Sequence, residues 1–265
     1  MSEFFIELFS EEIPANLQNK TRQDFFQNLK EFLEKEDIKY SGEATAFSIP
    51  NRLIIYFQNI SKKITKKENE IRGPNINAPE DALNGFLKSY KISIDKTYKK
   101  KTDKGEFYFF KKPSESIETK FVLQKNLPKI LDKISWKKSM RWADHELYWG
   151  RPLKSILCCF DNKTLEFEYH HLVSSNITFI DKDFEQKTKK FVRFKDYLAF
   201  FRSQNIILDN KKREQFIVDQ LNRIAKKENL KIHFNSTLLN EVTNIVEKPN
   251  IIKCRFNKRF LEIPD

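Results

Sequence analysis

The chain predicts an α+β fold with mixed or antiparallel sheets and packed helices, and three observations carry that prediction. Its opening reads strand, helix, strand, strand, a unit that must cover its sheet with the helix. It holds 25 Phe and only five Gly, so it is a packed globular chain. Beyond residue 181 the apolar spacing turns mostly helical, with one late strand. Residues 1–180 are therefore expected as an α+β region and 181–265 as a helix-rich region, divided by the polar, basic segment Asp181 to Lys195.

Phe4 to Phe9 reads as the first strand. Pro14 suits the first turn of a helix carrying Leu17, Phe25, Leu29, Phe32 and Leu33 at core positions. Ala44 to Ile49 and Leu53 to Ile60 are strands separated by Pro50-Asn51-Arg52. A charged connection from Ser61 to Glu70 leads to Arg72-Gly73-Pro74, and Pro79-Glu80-Asp81 starts a helix with Leu83, Phe86, Leu87 and Tyr90. Asp103-Lys104-Gly105 is expected as a hairpin turn, with Phe107 to Phe110 on the return strand. A helix from Ser116 to Ile134 follows, and Pro128 is expected to kink or break it.

Leu153 to Phe160 and Leu165 to His171 read as strands joined at Asp161-Asn162-Lys163. Asp196 to Gln204 and Asn210 to Asn229 read as helices, the second burying Phe216, Ile217, Leu221 and Ile224. Ser236 is a candidate cap for a third, to Glu247, burying Leu238, Leu239, Val242 and Ile245. Ile251 to Phe256 is the late strand.

The formal charge is +12 and the sequence pI about 9.4, which makes a polyanion the natural partner, because each neutralised phosphate releases condensed counterions. A Lys-rich compositional bias accounts for the same charge, so charge alone leaves both readings open. Cys158, Cys159 and Cys254 fit neither a disulfide framework nor zinc spacing, and are expected reduced and buried. No apolar run reaches the ~20 residues needed to span a bilayer, and the start lacks the basic residues of an export signal, so the expected compartment is the cytoplasm. There is no Gly-rich phosphate loop, Gly-x-Gly-x-x-Gly or His-x-x-His pair. No catalytic residue and no metal site are expected.

The densest feature runs from Ser139 to Pro152. Met140-Arg141-Trp142 and Trp149-Gly150-Arg151-Pro152 use two of the three tryptophans and alternate them with arginine. Such alternation marks a surface where guanidinium planes meet aromatic faces. The block resembles the β subunit of bacterial tetrameric glycyl-tRNA synthetase. Further segments agree in order: Ile6 to Pro14, Pro50-Asn51-Arg52-Leu53, Ile71-Arg72-Gly73-Pro74, and the closing run through Glu241-Val242, Val246-Glu247-Lys248-Pro249 and Phe260 to Pro264. The chain departs from the family pattern at Phe9-Ser10, Asn51 and Ala143, and Ser174 to Phe179 lacks the family's His and Arg.

The resemblance implies a non-catalytic β-subunit portion of glycine–tRNA ligase that binds tRNA(Gly) and docks on the catalytic α subunit, in a heterotetramer of two α and two β chains. ATP, with Mg, is expected to be used by the α subunit. It also implies a first region similar to the B3/B4 module of phenylalanyl-tRNA synthetase. Family members continue past the equivalent of Asp265 into HD-like and anticodon-binding domains, so this chain is expected to be the N-terminal portion.

The candidate RNA-binding residues are Arg72, Arg141, Trp142, Arg151, Lys100, Lys101, Lys190 and Arg193. Arg72 and Arg151 each lie beside Gly and Pro, which hold the local path; phosphate suits them, and so does internal pairing with Glu11, Glu12 or Asp144. Arg141 and Trp142 suit either an unpaired base or packing on Trp149. The lysines belong to basic clusters at 62–63 with 66–67, 99–101 with 104, 187–193 and 211–213, suited to sequence-independent contacts along RNA. Two rivals stand beside this reading. One is a trans-acting tRNA deacylase or RNA hydrolase using His145 with Asp144 and Glu146; the other is a structural scaffold. His170-His171, on a strand, would face opposite sides and not chelate one ion.

Overall fold

The computed structural model describes residues 2–66, 68–180 and 187–261. In chain order the elements are β1 (Phe4–Ser10), α1 (Ala15–Lys35), β2 (Ala44–Ile49), β3 (Arg52–Phe57), β4 (Lys63–Lys66), β5 (Asn69–Asn75), α2 (Glu80–Tyr90), β6 (Thr97–Thr102), β7 (Gly105–Lys112), β8 (Glu115–Glu118) and α3 (Thr119–Asp132). They continue with β9 (Leu153–Phe160), β10 (Lys163–Thr164), β11 (Glu168–Tyr169), β12 (Leu172–Val173), β13 (Ile177–Phe179), β14 (Thr188–Lys190), α4 (Phe194–Ser203), α5 (Asn210–Glu228) and α6 (Ser236–Ile245). The expected α+β class holds, with every named strand pairing antiparallel.

The chain forms two compact units, Met1–Lys62 with Val122–Asp265, and Lys63–Phe121. The division thus differs from the one expected at 180/181. Phe194, Tyr197 and Phe201 lie in one core with Phe5, Ile54 and Leu157, so apolar burial joins the two sides of that position.

In the first unit, a five-stranded sheet runs β10-β9-β1-β3-β2. All seven residues of β1 are buried, because strands flank it on both edges and helices cover both faces. On one face Phe5, Ile54, Tyr56 and Leu157 meet α4, and Tyr56 stacks on Phe194 with ring centroids 4.1 Å apart. On the other, Phe26 of α1 stacks on Phe57. Pro14 stands at the N-cap position of α1, one residue ahead of the first turn, with no side-chain capping bond; Leu17, Phe25, Leu29 and Leu33 are buried as their spacing predicts, whereas Phe32 is half-buried. The β9–β10 turn places Asp161 and Asn162 at φ 51° and 59°, the left-handed pair of a type I′ hairpin.

The second unit leaves and rejoins the first through β4 and β8, which pair with each other and put Ile64 opposite Ile117 and Lys63 opposite Glu118. Ser61 to Glu70 is therefore largely strand, and the helix expected from Ser116 starts at Thr119. Pro128 sits inside α3 without ending it. A three-stranded sheet, β5-β7-β6, carries the expected hairpin, with Gly105 at φ 115°. Helix α2 lies where Pro79 predicts, but it buries none of its residues fully.

Near the far end the differences are larger. Asn235, not Ser236, caps α6 by accepting from the Leu238 amide. The helix buries Thr243 and Asn244 while Leu238 and Ile245 stay exposed. Its inward contacts are polar: Gln18 of α1 donates to the Asn244 carbonyl at 2.7 Å. In α5, Ile217 and Ala225 are buried as apolar contacts, but Phe216 is exposed. Residues 251–256 form no strand; an isolated period-2 pattern needs a partner to hydrogen-bond, and Ile252 and Phe256 remain exposed. Part of the expected linker, 181–186, with Lys67 and the closing 262–264, lies outside the described residues.

Candidate functional site

Cross-strand register in the Lys63–Phe121 unit collects basic and aromatic residues on one sheet face. Arg72 and Tyr98 lie opposite Phe109 from either side, and Lys100 lies opposite Phe107. Directly opposed residues share a face, so these five do. The β5–β7 register shifts between Arg72 and Asn75, at Gly73-Pro74, and such an irregularity re-aims a side chain. The Arg72 guanidinium sits 3.5 Å above the Phe107 ring centroid. Arg72 is exposed, and among the described residues no carboxylate lies within ion-pair distance of it.

Its neighbours are differently disposed. Lys100 donates to Glu70 at 2.5 Å, and Tyr98 donates to the other Glu70 oxygen. The Lys100 and Tyr98 hydrogen bonds hold the Glu70 carboxyl below its ordinary range, and the Glu70 contact pushes the Tyr98 hydroxyl up to about 12. Lys101 alternates to the opposite face, across from Glu106. The structure thus brings Arg72 and Lys100 together and leaves Lys101 apart.

The Trp/Arg block folds back on itself. Met140 and Trp149 exchange backbone hydrogen bonds of 2.8 and 3.1 Å. Trp149 is buried against Trp136, at 5.0 Å, and Tyr169. Gly150 makes this possible, since a Cβ there would lie 2.2 Å from the Trp136 ring. Arg141 is exposed, and Trp142 is half-buried with its ring edge-on to His145 and His171 rather than packed on Trp149.

His145 and His171 stack at 3.6 Å with an interplanar angle of 5°. With Asp144, Glu146 and His170 they line a cavity of about 350 Å³. His170 and His171 lie in the β11–β12 turn and not on a strand; His170 has φ 51° and stands 3.9 Å from Asp132, while His171 reaches His145. Desolvation, then the His145 and His170 charges, lowers the His171 pKa. Among the described residues no group of three or more His, Cys, Asp or Glu is placed to hold a metal.

Arg151 is half-buried, donates to the Gly150 carbonyl at 3.0 Å, and lines a cavity of about 550 Å³ with Pro14 and Asn16 of the α1 start and Glu241 of α6. Glu11 instead pairs with Lys154, at 2.6 Å. Lys190 is exposed on β14, and Arg193 pairs with Asp196 at 2.7 Å where α4 begins. The candidates of the first unit therefore form no single cluster: Arg141 and Trp142 adjoin in the Trp/Arg block, Arg151 lies at the α1 start, and Lys190 and Arg193 lie on β14 and before α4. Of the cysteines, Cys158 and Cys159 are buried with thiols pushed up by desolvation, the second to about 12, but Cys254 is exposed.

Two charged centres were not anticipated. Glu7, fully buried in β1, accepts from Arg52, Tyr197 and Thr178. Arg52 also donates to Asn51 Oδ1 at 2.7 Å and to the Phe179 carbonyl, and lies over the rings of Phe9 and Phe201. Arg213 is equally buried, so it is not part of a surface cluster with Lys211 and Lys212. It donates to the carbonyls of Thr243, Ile207, Leu208 and Ser48, and desolvation, then Arg22, lowers its pKa to about 10. A carboxylate inside the apolar run Phe4-Phe5-Ile6-Glu7-Leu8-Phe9 was the available signal, since a buried charge demands a partner.

Fold and site together define a basic α+β protein whose interior charges tie the sheet to its helices and whose outer arginine and aromatic residues stand outside that core. The chain belongs to the glycyl-tRNA synthetase beta subunit family, whose model matches residues 4–265. It is 35% identical over 266 residues to the glycine–tRNA ligase beta subunit of Rickettsia prowazekii, covering 100% of this chain and 40% of that relative. The beta subunit of Rickettsia felis gives the same figures, and that of Rickettsia typhi is 35% identical over 265 residues. The chain spans about 40% of the length of these curated relatives. Among the described residues no helix is long and apolar enough to cross a membrane.

Proposed function

We propose that this chain is a β-subunit portion of a glycine–tRNA ligase that binds tRNA and docks on a catalytic α subunit. The family match across residues 4–265 carries the reading. In it, the α subunit uses ATP with Mg to activate glycine, two α and two β chains assemble in the cytoplasm, and this chain contributes grip on tRNA(Gly) without an adenylation centre of its own. The charge of +12 supports the RNA part, since cations at loops and on the exposed sheet face release counterions from a phosphate backbone.

Two measurements test it. The chain is co-expressed with the α subunit from the same source, and co-purification is the expected result. Binding of tRNA(Gly) is then titrated against salt, with affinity expected to fall steeply. Glycylation by this chain with no α subunit added overturns the division of labour, and a flat salt response with no co-purification leaves only a scaffold.

The cavity bearing the stacked His145 and His171 beside Asp144 and Glu146 favours a second reading, a trans-acting hydrolase of tRNA esters with His145 as general base. Release of free amino acid from mischarged tRNA, lost in His145→Ala, is its signature.

A further inference from the structure

We infer that the sheet face of residues 69–112 that carries Arg72 is a stacking platform for an unpaired nucleotide of RNA, with exposed Arg72 as its upper plane and half-buried Phe107 as the support beneath. The inference rests on the tRNA-binding reading and gives it a place.

The geometry is specific. A guanidinium is flat, and one flat side of Arg72 is taken by Phe107 at 3.5 Å. Arg72 is exposed, and among the described residues no second ring is stacked on it. A preformed cationic plane of this kind is what an unstacked base uses, because π-contact with the guanidinium and attraction of the adjoining phosphate act together.

Charge pairing singles out Arg72 within the face. Lys100 is engaged by Glu70 at 2.5 Å, and Lys111, on the same face, by Glu68 at 3.5 Å. Arg72 has no carboxylate among the described residues. The backbone holds it there: Pro74 restricts the path, and a Cβ on Gly73 would lie 2.9 Å from Phe86, so the strand runs close against α2. Tyr98, stacked on Phe109 at 6.1 Å, extends the aromatic row behind it. An acidic protein segment would seek the in-plane N–H groups of Arg72 as a fork; the ring-backed geometry leaves the flat side as the larger free surface, which favours a base.

The test uses the full 265-residue chain and a short labelled oligoribonucleotide, offered single-stranded and as a duplex with its complement. Arg72→Ala and Arg72→Lys are each expected to weaken single-strand binding about 5- to 100-fold, and Phe107→Leu about 5-fold or more. Duplex binding should change less than about 3-fold, as one phosphate contact would. Because Arg72 is exposed, its variants are expected to melt like the parent, and a melt that matches certifies the comparison. The decisive arm is Arg72→Lys, which keeps the charge and removes the plane. Parental single-strand affinity in that variant overturns the platform while the subunit reading stands. Equal losses for single strand and duplex overturn it too, as simple electrostatics. Unchanged RNA binding with weakened α-subunit association makes the face a protein contact and also overturns it. A parental chain that binds no RNA at all removes the tRNA reading along with the platform.

Discussion

Glu7 and Arg52 form an ion pair at the centre of the five-stranded sheet, with Arg52 Nε 3.1 Å from Glu7 Oε2 and the two side chains 3% and 0% exposed. The pair is closed by Tyr197, Thr178, Asn51 and the Phe179 carbonyl, so β1, β3, β13 and α4 share one polar node. Removing one partner strands the other without water. Glu7→Leu and Arg52→Met are each expected to lower stability by about 3–5 kcal/mol. The Glu7→Leu/Arg52→Met double variant should lose clearly less than the sum of its singles, and urea titration of all of them checks it; additive losses mean the two residues do not act as a pair.

Arg213 supplies donors to four backbone carbonyls from three parts of the chain. Arg213→Met leaves those carbonyls unmet and is expected to cost about 3 kcal/mol or more. Lysine cannot reproduce the fork, so Arg213→Lys should recover less than half of the loss. Thermal melts followed by circular dichroism read both, and full recovery by lysine would show that charge alone matters there.

Gly150 is set by space, since the nearest Trp136 ring atoms would stand 2.2 and 2.3 Å from an added Cβ. Gly150→Ala must displace that indole, at an expected cost of about 1–3 kcal/mol. Emission should shift towards the exposed-tryptophan range together with the lower melting point. An unchanged spectrum at unchanged stability contradicts this packing.

The stacked imidazoles give a pH dependence whose sign follows from His171. Its folded pKa lies below the ordinary 6.5, so the unfolded chain takes up the proton first as pH falls. This contribution to stability is full above the unfolded value and is lost as pH drops through the folded one. His145 and His170 add repulsion, while Asp144 and Glu146 on the same cavity oppose it. Melting temperature between pH about 8 and about 5 should therefore fall less in His171→Gln than in the parent. An identical pH slope in the variant removes His171 from the account.

Much of the first unit was legible because its signals are local. Pro14 before a helical stripe and Asp161-Asn162 between apolar runs each act within a few residues. What escaped was decided at long range. Lys63 to Lys66 looks like a charged connection until Glu115 to Glu118 supplies the opposing strand, and Ile251 to Phe256 looks like a strand until it finds none. In α6 the apolar stripe faces out, because polar contacts from Asn240 and Asn244 to α1 fix its rotation. The same holds for the site. Gly73-Pro74 marked Arg72, but only strand register reveals Phe107 beneath it, and only the fold brings His171 onto His145.

The position of β1 between β3 and β9 has a consequence for synthesis. A nascent chain can pair residues 4–10 with 52–57 early, but the second partner, 153–160, emerges only after the whole Lys63–Phe121 unit has been translated. In that interval a strand destined to be wholly buried offers an open row of amides and carbonyls to any passing strand. The inserted unit thus sets a waiting time on the ribosome, during which holdase chaperones and crowding by sister chains decide the yield of native protein.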